Sequence, residues 1–397
     1  MSLSYSSNQI ETRILDPVRY SANRFCEWEL NELDMRYMPN MRICNLGATS
    51  ATGGVYYNKL GGVKNLIKNI VLFDGRQELD RLNEASIWNA FQTTRDTNIH
   101  NKSVGTVLSR GNYYYEFENG YSVGNSPRTA LATDADDTPK GWVDVRDMLE
   151  LLNNIPALDT NRFTNLRLRI EFETSPYRVS SGNTAINTIE PVLVCDVSSQ
   201  KMPTPSSVQW NAIERDEFSI PEQQASSTTQ PLLQNTSMKL NGFQNKIVER
   251  MVLIKQFEDV SKMDGMELRN GSLAIYGEQL QVRLNGANRL PIKIDRDNKR
   301  TALMADAWGN MNVAPFCNRT SSSLKDAGVP SAILGVVDYT GLHLGQFVKD
   351  LQIEISRNNL DDSDTASASN QALRVHCYGE VKKALVFQND GYLVQYS

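Results

Sequence analysis

Two pairs of carboxylates stand two residues apart in nearly matching surroundings. Glu32 and Asp34 lie in WELNELDMRYMP, which begins at Trp28, and Glu214 and Asp216 lie in WNAIERDEFSIP, which begins at Trp210. On a β-strand, residues i and i+2 share a face, and two carboxyl groups across a cleft can divide the acid and base roles of glycoside hydrolysis. Their recurrence in both segments argues for a structural role instead, because twin folds are commoner than twin active sites.

Other chemistry is sparse. The three histidines, His100, His343 and His376, are far apart and form no HxH pair. A metal-holding jelly roll of the cupin kind needs clustered His with a carboxylate, and a His-based nucleophile system has equally little to draw on. GxSxG, Walker A, GxGxxG and HExxH patterns do not occur, and the Gly-rich GATSATGG lacks the Gly-Lys-Ser/Thr ending that cradles phosphate. Asp134, Asp136 and Asp137 could attract a hard cation, but without the rest of an EF-hand loop they read as a solvated loop, as do Asp361, Asp362 and Asp364. Tyr113, Tyr114 and Tyr115 could stack on sugars or bases; beside EFE in a strand they read as packing. The expectation is no catalytic residue, no metal and no cofactor.

The carboxylate pairs belong to a longer likeness between the two halves of the chain. Trp28 matches Trp210, Glu32 matches Glu214, Asp34 matches Asp216 and Pro39 matches Pro221, all 182 residues apart. KLGGVKNLI from Lys59 matches KLNGFQNKI from Lys239, pairing Gly62 with Gly242. LRIEF from Leu168 matches LQIEI from Leu351, and Val192–Cys195 fall on Val375–Tyr378. Solenoid repeats run to about 50 residues at most, so a period of this length implies a whole domain copied once.

The bulk numbers agree. At 397 residues the chain suits two domains, each large enough to close its own core. Its net charge of -5 opposes a main task of neutralising phosphates. Five scattered cysteines without CxxC spacing point away from a disulfide scaffold or zinc site. The opening MSLSYSSNQIETRILDPVRY has no apolar core of the kind a signal peptide needs, and no stretch approaches a membrane span.

The elements that must position these residues are mostly strands. LRLRIEFE alternates apolar Leu166, Leu168, Ile170 and Phe172 with charged residues, the period of a strand with one wet face. KNIVLF, YYYEFE, EPVLVCDV, ERMVLI, EQLQVRLN and ALRVHCYGEV read likewise, and the Asn-Asp-Gly at 389–391 marks a hairpin. Two segments read as helices, RQELDRLNEASIWNAFQ from Arg76 and DVRDMLELLNN, the latter capped by Asp144; their counterparts in the second half look shorter and more broken. QQASSTTQPLLQNTS and NNLDDSDTASASN read as long loops. SSQKMPTPSS breaks the strand pattern and marks the junction. The expected fold is all-β: an amino-terminal arm over 1–16, then two tandem eight-stranded antiparallel jelly-roll sandwiches over 17–198 and 199–397, with short inserted helices.

On WELNELDMRYMP, GGVKNLIKNIVLFDGRQELDRLN, NGFQNKIVERMVLI and LRVHCYGEVKKALVFQNDGYLVQYS, the chain resembles the double-jelly-roll major capsid proteins of tailless icosahedral DNA viruses, most closely those of polinton-like viruses and virophages. The resemblance implies a homotrimer whose six similar sandwiches give a pseudo-hexagonal capsomer. Its implied partners are neighbouring capsomers and penton and minor capsid proteins in a virion assembled inside the host cell, without direct sequence-specific nucleic-acid binding; contact with an internal membrane is left open. Two other readings compete. A glycan-processing hydrolase on two jelly rolls would place Glu32 and Asp34 in a cleft, and a carbohydrate-binding module would show exposed aromatic platforms.

Overall fold

The computed structural model describes residues 10–31, 37–50, 53–54, 62–96, 141–179, 185–198, 202, 205–221, 233–258, 279–289, 297–309, 338–358, 372–388 and 391–396. Its first half contains β1 (Glu11–Leu15), β2 (Arg19–Ser21), β3 (Phe25–Glu29), β4 (Tyr37–Leu46), β5 (Ala48–Ser50), β6 (Gly53–Gly54), β7 (Ile67–Asp74), β8 (Gln77–Leu82), β9 (Gly141–Asp144), β10 (Leu158–Asp159), β11 (Leu166–Phe172), β12 (Ile186–Thr188) and β13 (Val192–Ser198). Two sheets, β1-β13-β4-β10 and β2-β3-β11-β7-β8, form the sandwich; β9 also pairs with β4, and β12-β5-β6 make a small third sheet. Alternation builds them: Leu166, Leu168, Ile170 and Phe172 of β11 are buried while the residues between are half-buried.

The second half contains β14 (Ser207–Ile220), β15 (Leu233–Lys239), β16 (Lys246–Phe257), β17 (Gln279–Leu284), β18 (Ala287–Asn288), β19 (Asp338–Val348), β20 (Leu351–Asn358), β21 (Leu373–Gln388) and β22 (Gly391–Tyr396). Its sheets are β14-β21-β16-β19, with β22 also on β21, and β15-β20-β17-β18. The β17–β18 hairpin turns on Asn285 and Gly286 at φ 54° and 83°, the positive pair that a tight type I′ turn requires. Without the additions, each half has the same eight-strand order: first, eighth, third and sixth strand in one sheet; second, seventh, fourth and fifth in the other. That is the jelly roll, made twice.

The shared order corrects the sequence alignment. LRIEF and LQIEI do fall on matching seventh strands, β11 and β20, and Val192–Cys195 and Val375–Tyr378 on matching eighth strands, β13 and β21. Trp28, however, lies on β3, the second strand of its sandwich, whereas Trp210 lies on β14, the first of the other. Gly62 leads into β7, the fourth strand, and Gly242 into β16, the third. The physical reason is a long connection: 75 residues separate β8 from β10, but 49 separate β18 from β19. A constant offset near 182 therefore holds only after that connection; before it, similar alternation matched neighbouring strands.

Other expectations also move. The arm expected over 1–16 includes a strand, since Glu11–Leu15 pairs residue for residue with Val197–Leu193. Four of its five residues are exposed, which hid it from a burial pattern. The helix expected from Arg76 begins only at α1 (Ala85–Asp96), because Gln77–Leu82 is β8, hairpin-paired to β7. DVRDMLELLNN forms a 3-10 turn over Val145–Asp147, with the Asp144 side chain accepting from Arg146 N, and then the short α2 (Glu150–Asn153). The last helices are α3 (Pro176–Val179) and α4 (Asp297–Trp308). The second half thus matches α1 with a helix of the same length, 12 residues, in the same connection. The stretch expected as a long loop from Gln223 ends in β15, a polar strand.

No backbone strand pairing joins the halves among the described residues. Side chains do join them: one continuous hydrophobic cluster runs from Leu15 through Trp88 and Phe91 to Trp308, Tyr378 and Leu385.

Candidate functional site

The residues named from sequence do not gather into one site. Trp28 and Trp210 are buried in different strand positions, Pro39 is buried in β4, Gly62 opens a 3-10 turn, and Pro221 is exposed after β14. Glu32, Asp34, His100, Tyr113–Tyr115 and both aspartate clusters lie outside the described residues.

Glu214 and Asp216 share the inward face of β14, and neither has the surroundings of a catalytic acid. Asp216 accepts the backbone N–H of Gly242 and of Glu217, each at 2.8 Å. A Cβ on Gly242 would sit 3.1 Å from Asp216 Oδ2, so the glycine allows this close approach. Glu214 holds Lys383 at 2.7 Å with both side chains 4% exposed. It also accepts from Tyr396 Oη at 3.1 Å and faces Lys246 at 3.8 Å and Arg81 at 3.6 Å. Burial pushes its carboxyl up, but these cations together outweigh burial and leave it below the usual carboxylate range. It is an ionised anchor rather than a proton donor. Arg81 stands on β8, so this anchor spans the two halves.

The junction around it has three further parts. Beside Arg81, Asp80 is buried and accepts from Leu151 N at 2.8 Å and Arg81 N at 3.0 Å; burial pushes its carboxyl up to about 6 against those bonds and the Lys383 charge. An aromatic layer comes next: Trp88 of α1 packs on Tyr378 at 5.3 Å and on Trp308 at 5.8 Å, and Phe91 meets Trp308 at 5.1 Å. Tyr378 Oη donates to Glu84 O at 2.9 Å, and Trp308 Nε1 donates to Met251 O at 3.1 Å, which satisfies the polar tips of both rings. Last, β22 returns to the first half, where Phe163 packs on Phe387 and Tyr392 at 6.0 and 5.1 Å.

His376 lies at the same junction. Arg215 Nη2 donates to its Nδ1 at 2.8 Å, and since arginine has no acceptor the neutral ring carries its proton on Nε2. Burial, then the nearby Arg215, Arg178 and Arg374, drive its pKa well below the ordinary histidine value. Arg178 pairs with Glu84 and, at 3.0 Å, with Glu173.

A cleft of about 410 Å³ opens between α2 and β14, bordered by Arg250, Glu380, Lys382 and Lys383. These charges are already paired: Arg250 grips Glu380 at 2.7 and 2.8 Å, Lys382 holds Glu249 at 3.2 Å and Lys383 holds Glu214. The arrangement binds the two sandwiches together, with these charges already held in ion pairs. Sequence reasoning named Glu214 and missed Asp80, Glu84, Trp88, Tyr378 and Tyr392. The segment that holds Trp88 and Phe91 read as more helical than extended; nothing in the chain told which surface they would cover.

Two eight-stranded sandwiches in tandem, locked through a buried junction, define the double-jelly-roll class. No protein-family model and no curated protein matches the sequence. Solved structures do match in fold. VP54 of PBCV-1, fitted into a reconstruction of the virophage Sputnik, superimposes with a TM-score of 0.58 at 9% identity, over 100% of this chain and 99% of that one. The mavirus major capsid protein gives 0.55 at 9% identity, over 100% and 92%. The Faustovirus major capsid protein gives 0.53 at 8% identity, over 98% and 92%.

Proposed function

We propose that this chain is the major capsid protein of an icosahedral DNA virus, resident in the virion and without enzymatic activity. Three copies close into a capsomer, and their six sandwiches give it a near-hexagonal outline that tiles a shell. The domains are proposed as 11–198 and 199–397, the first extended to include β1. Neighbouring capsomers are the main partners, with penton and minor capsid proteins at the vertices and seams. One observation carries this reading: the eight-strand order occurs twice in one chain, and that doubled order spans solved capsid proteins nearly end to end. A threefold ring of doubled units meets neighbours on six flanks, which a single sandwich per chain cannot do with closed threefold symmetry. The paired state of Glu214, and the backbone N–H groups that Asp216 accepts from, speak against glycan hydrolysis at those residues. The test is native mass measurement followed by negative-stain imaging. Three chains per particle and hexagonal arrays are expected; a persistent single chain that never assembles overturns the proposal.

A further inference from the structure

The halves meet through unlike surfaces. The second half presents the outer face of its β14-β21-β16-β19 sheet, where Tyr378 and His376 are fully buried. The first half covers part of that face with α1, through Trp88 on Tyr378 and Glu84 on the Tyr378 hydroxyl, and α4 packs on β19 beside it. A contact between unlike surfaces leaves one of each unused. It must either close into a ring or run on as a filament.

Among the described residues, the unused counterpart is the outer face of β1-β13-β4 in the first half, extended by the added strand β9. Leu15, Cys195 and Ile43 alternate inward and are buried. Ile14, Val194 and Arg42 then form one outward row across three paired strands. Val192 and Cys44 oppose each other in the next row, and Trp142 on β9 points the same way, since its neighbour Val143 is buried. Ile14 is 68% and Trp142 37% exposed, although both are large and apolar. One charged group on this face already has its partners: Asp196 accepts from Thr12 Oγ1 and Asn40 Nδ2, each at 3.1 Å, and pairs with Arg42 at 3.6 Å. Covering it therefore leaves the Asp196 carboxylate with its partners.

Resting on the capsomer reading above, we infer that this face, centred on Ile14 and Trp142, is the docking surface for the second half of another copy of this chain. The covered face of the second half is the template: the first, eighth and third strand positions, in the same order, meet the first half within the chain at one place and, among the described residues, are left open at the other. Three copies joined this way close the ring.

The experiment compares wild type with Ile14→Asp and with Ile14→Asp/Trp142→Asp by native mass spectrometry and sedimentation, with thermal melts to report folding. The double variant is expected as folded single chains, a threefold fall in particle mass. Ile14→Asp alone is expected to raise the dissociation constant of the trimer at least tenfold. Its side chain is exposed, so it decides the matter even if the double variant fails to fold. Trimers of unchanged stability in Ile14→Asp overturn this surface and leave the capsid reading standing. A wild-type protein that is itself a single chain overturns the capsid reading first.

Discussion

Tyr392, on the last strand of the second half, donates its hydroxyl to Asp74 Oδ2 of the first half at 3.0 Å. Asp74 also accepts from Thr164 N at 3.1 Å and from Asn165 N at 2.5 Å, so the tyrosine completes a shell around a buried carboxylate. Burial and then this bond raise the phenol's pKa, which keeps it a donor throughout the physiological range. Tyr392→Phe keeps the ring on Phe163 and removes one bond to a charged acceptor, so it should cost about 2 kcal/mol. Urea unfolding of the two proteins checks the value. An unchanged midpoint would mean that β22 is not a clasp.

Lys383 and Glu214 are the most deeply buried ion pair of the junction. Breaking a buried pair from one side costs about 3 to 5 kcal/mol when the charge left behind is uncompensated, and here Tyr396, Lys246 and Arg81, all farther off than Lys383, offset it only in part. Lys383→Met should therefore destabilise strongly. Replacing both partners, as in Lys383→Met/Glu214→Leu, should recover much of the loss. A double-mutant cycle in denaturant measures the coupling, and simple additivity of the two changes would contradict the assigned pairing.

How much of this was legible in advance depends on the kind of interaction. The period of two in Leu166–Phe172 and the Asn-Asp-Gly before β22 come from local physics, so strands and hairpin were readable. The doubling was readable too, but the Trp28 and Trp210 match chose strands one position out of step. Burying an aromatic on an alternating strand looks the same in the first strand as in the second. β1 was hidden because an edge strand with one buried residue has no pattern. The junction was illegible for a different reason. Asp80, Tyr378 and Tyr392 acquire their roles only when residues some 70 to 320 positions apart meet, and no spacing along the chain records that.

Two buried groups at the junction give opposite responses to acid. Asp80 titrates at about 6 when folded, against 3.8 as a free side chain. The folded chain holds that proton more tightly, so the group's stabilisation is full below 3.8 and is lost as pH rises through about 6. At two pKa units, the swing is at most about 3 kcal/mol. His376 works the other way. Its folded pKa lies well below 6.5, so it contributes stability above 6.5 that is lost as the solution is acidified and the unfolded ring gains a proton. Unfolding free energies between pH 4 and 7 should therefore change slope in opposite senses in Asp80→Asn and His376→Gln. Parallel profiles for the two variants would contradict this assignment.

Gly379 tests how tightly the second sandwich is packed. It lies in β21 without a positive φ, so alanine there meets no backbone penalty. The added Cβ would nevertheless sit 2.6 Å from Phe243 Cε1, inside van der Waals contact, on a ring that is fully buried. The ring must turn or the strand must shift, and overpacking of this kind costs about 1 to 3 kcal/mol. Gly379→Ala should destabilise by that amount, while Phe243→Leu alone should also destabilise by opening a void. Combined, the two changes relieve each other, because the methyl enters the space that the ring vacates. The double variant should be more stable than the sum of the single losses by about 1 kcal/mol or more. Unfolding curves for the four proteins give the coupling directly, and a coupling of zero would place the ring somewhere other than against this strand.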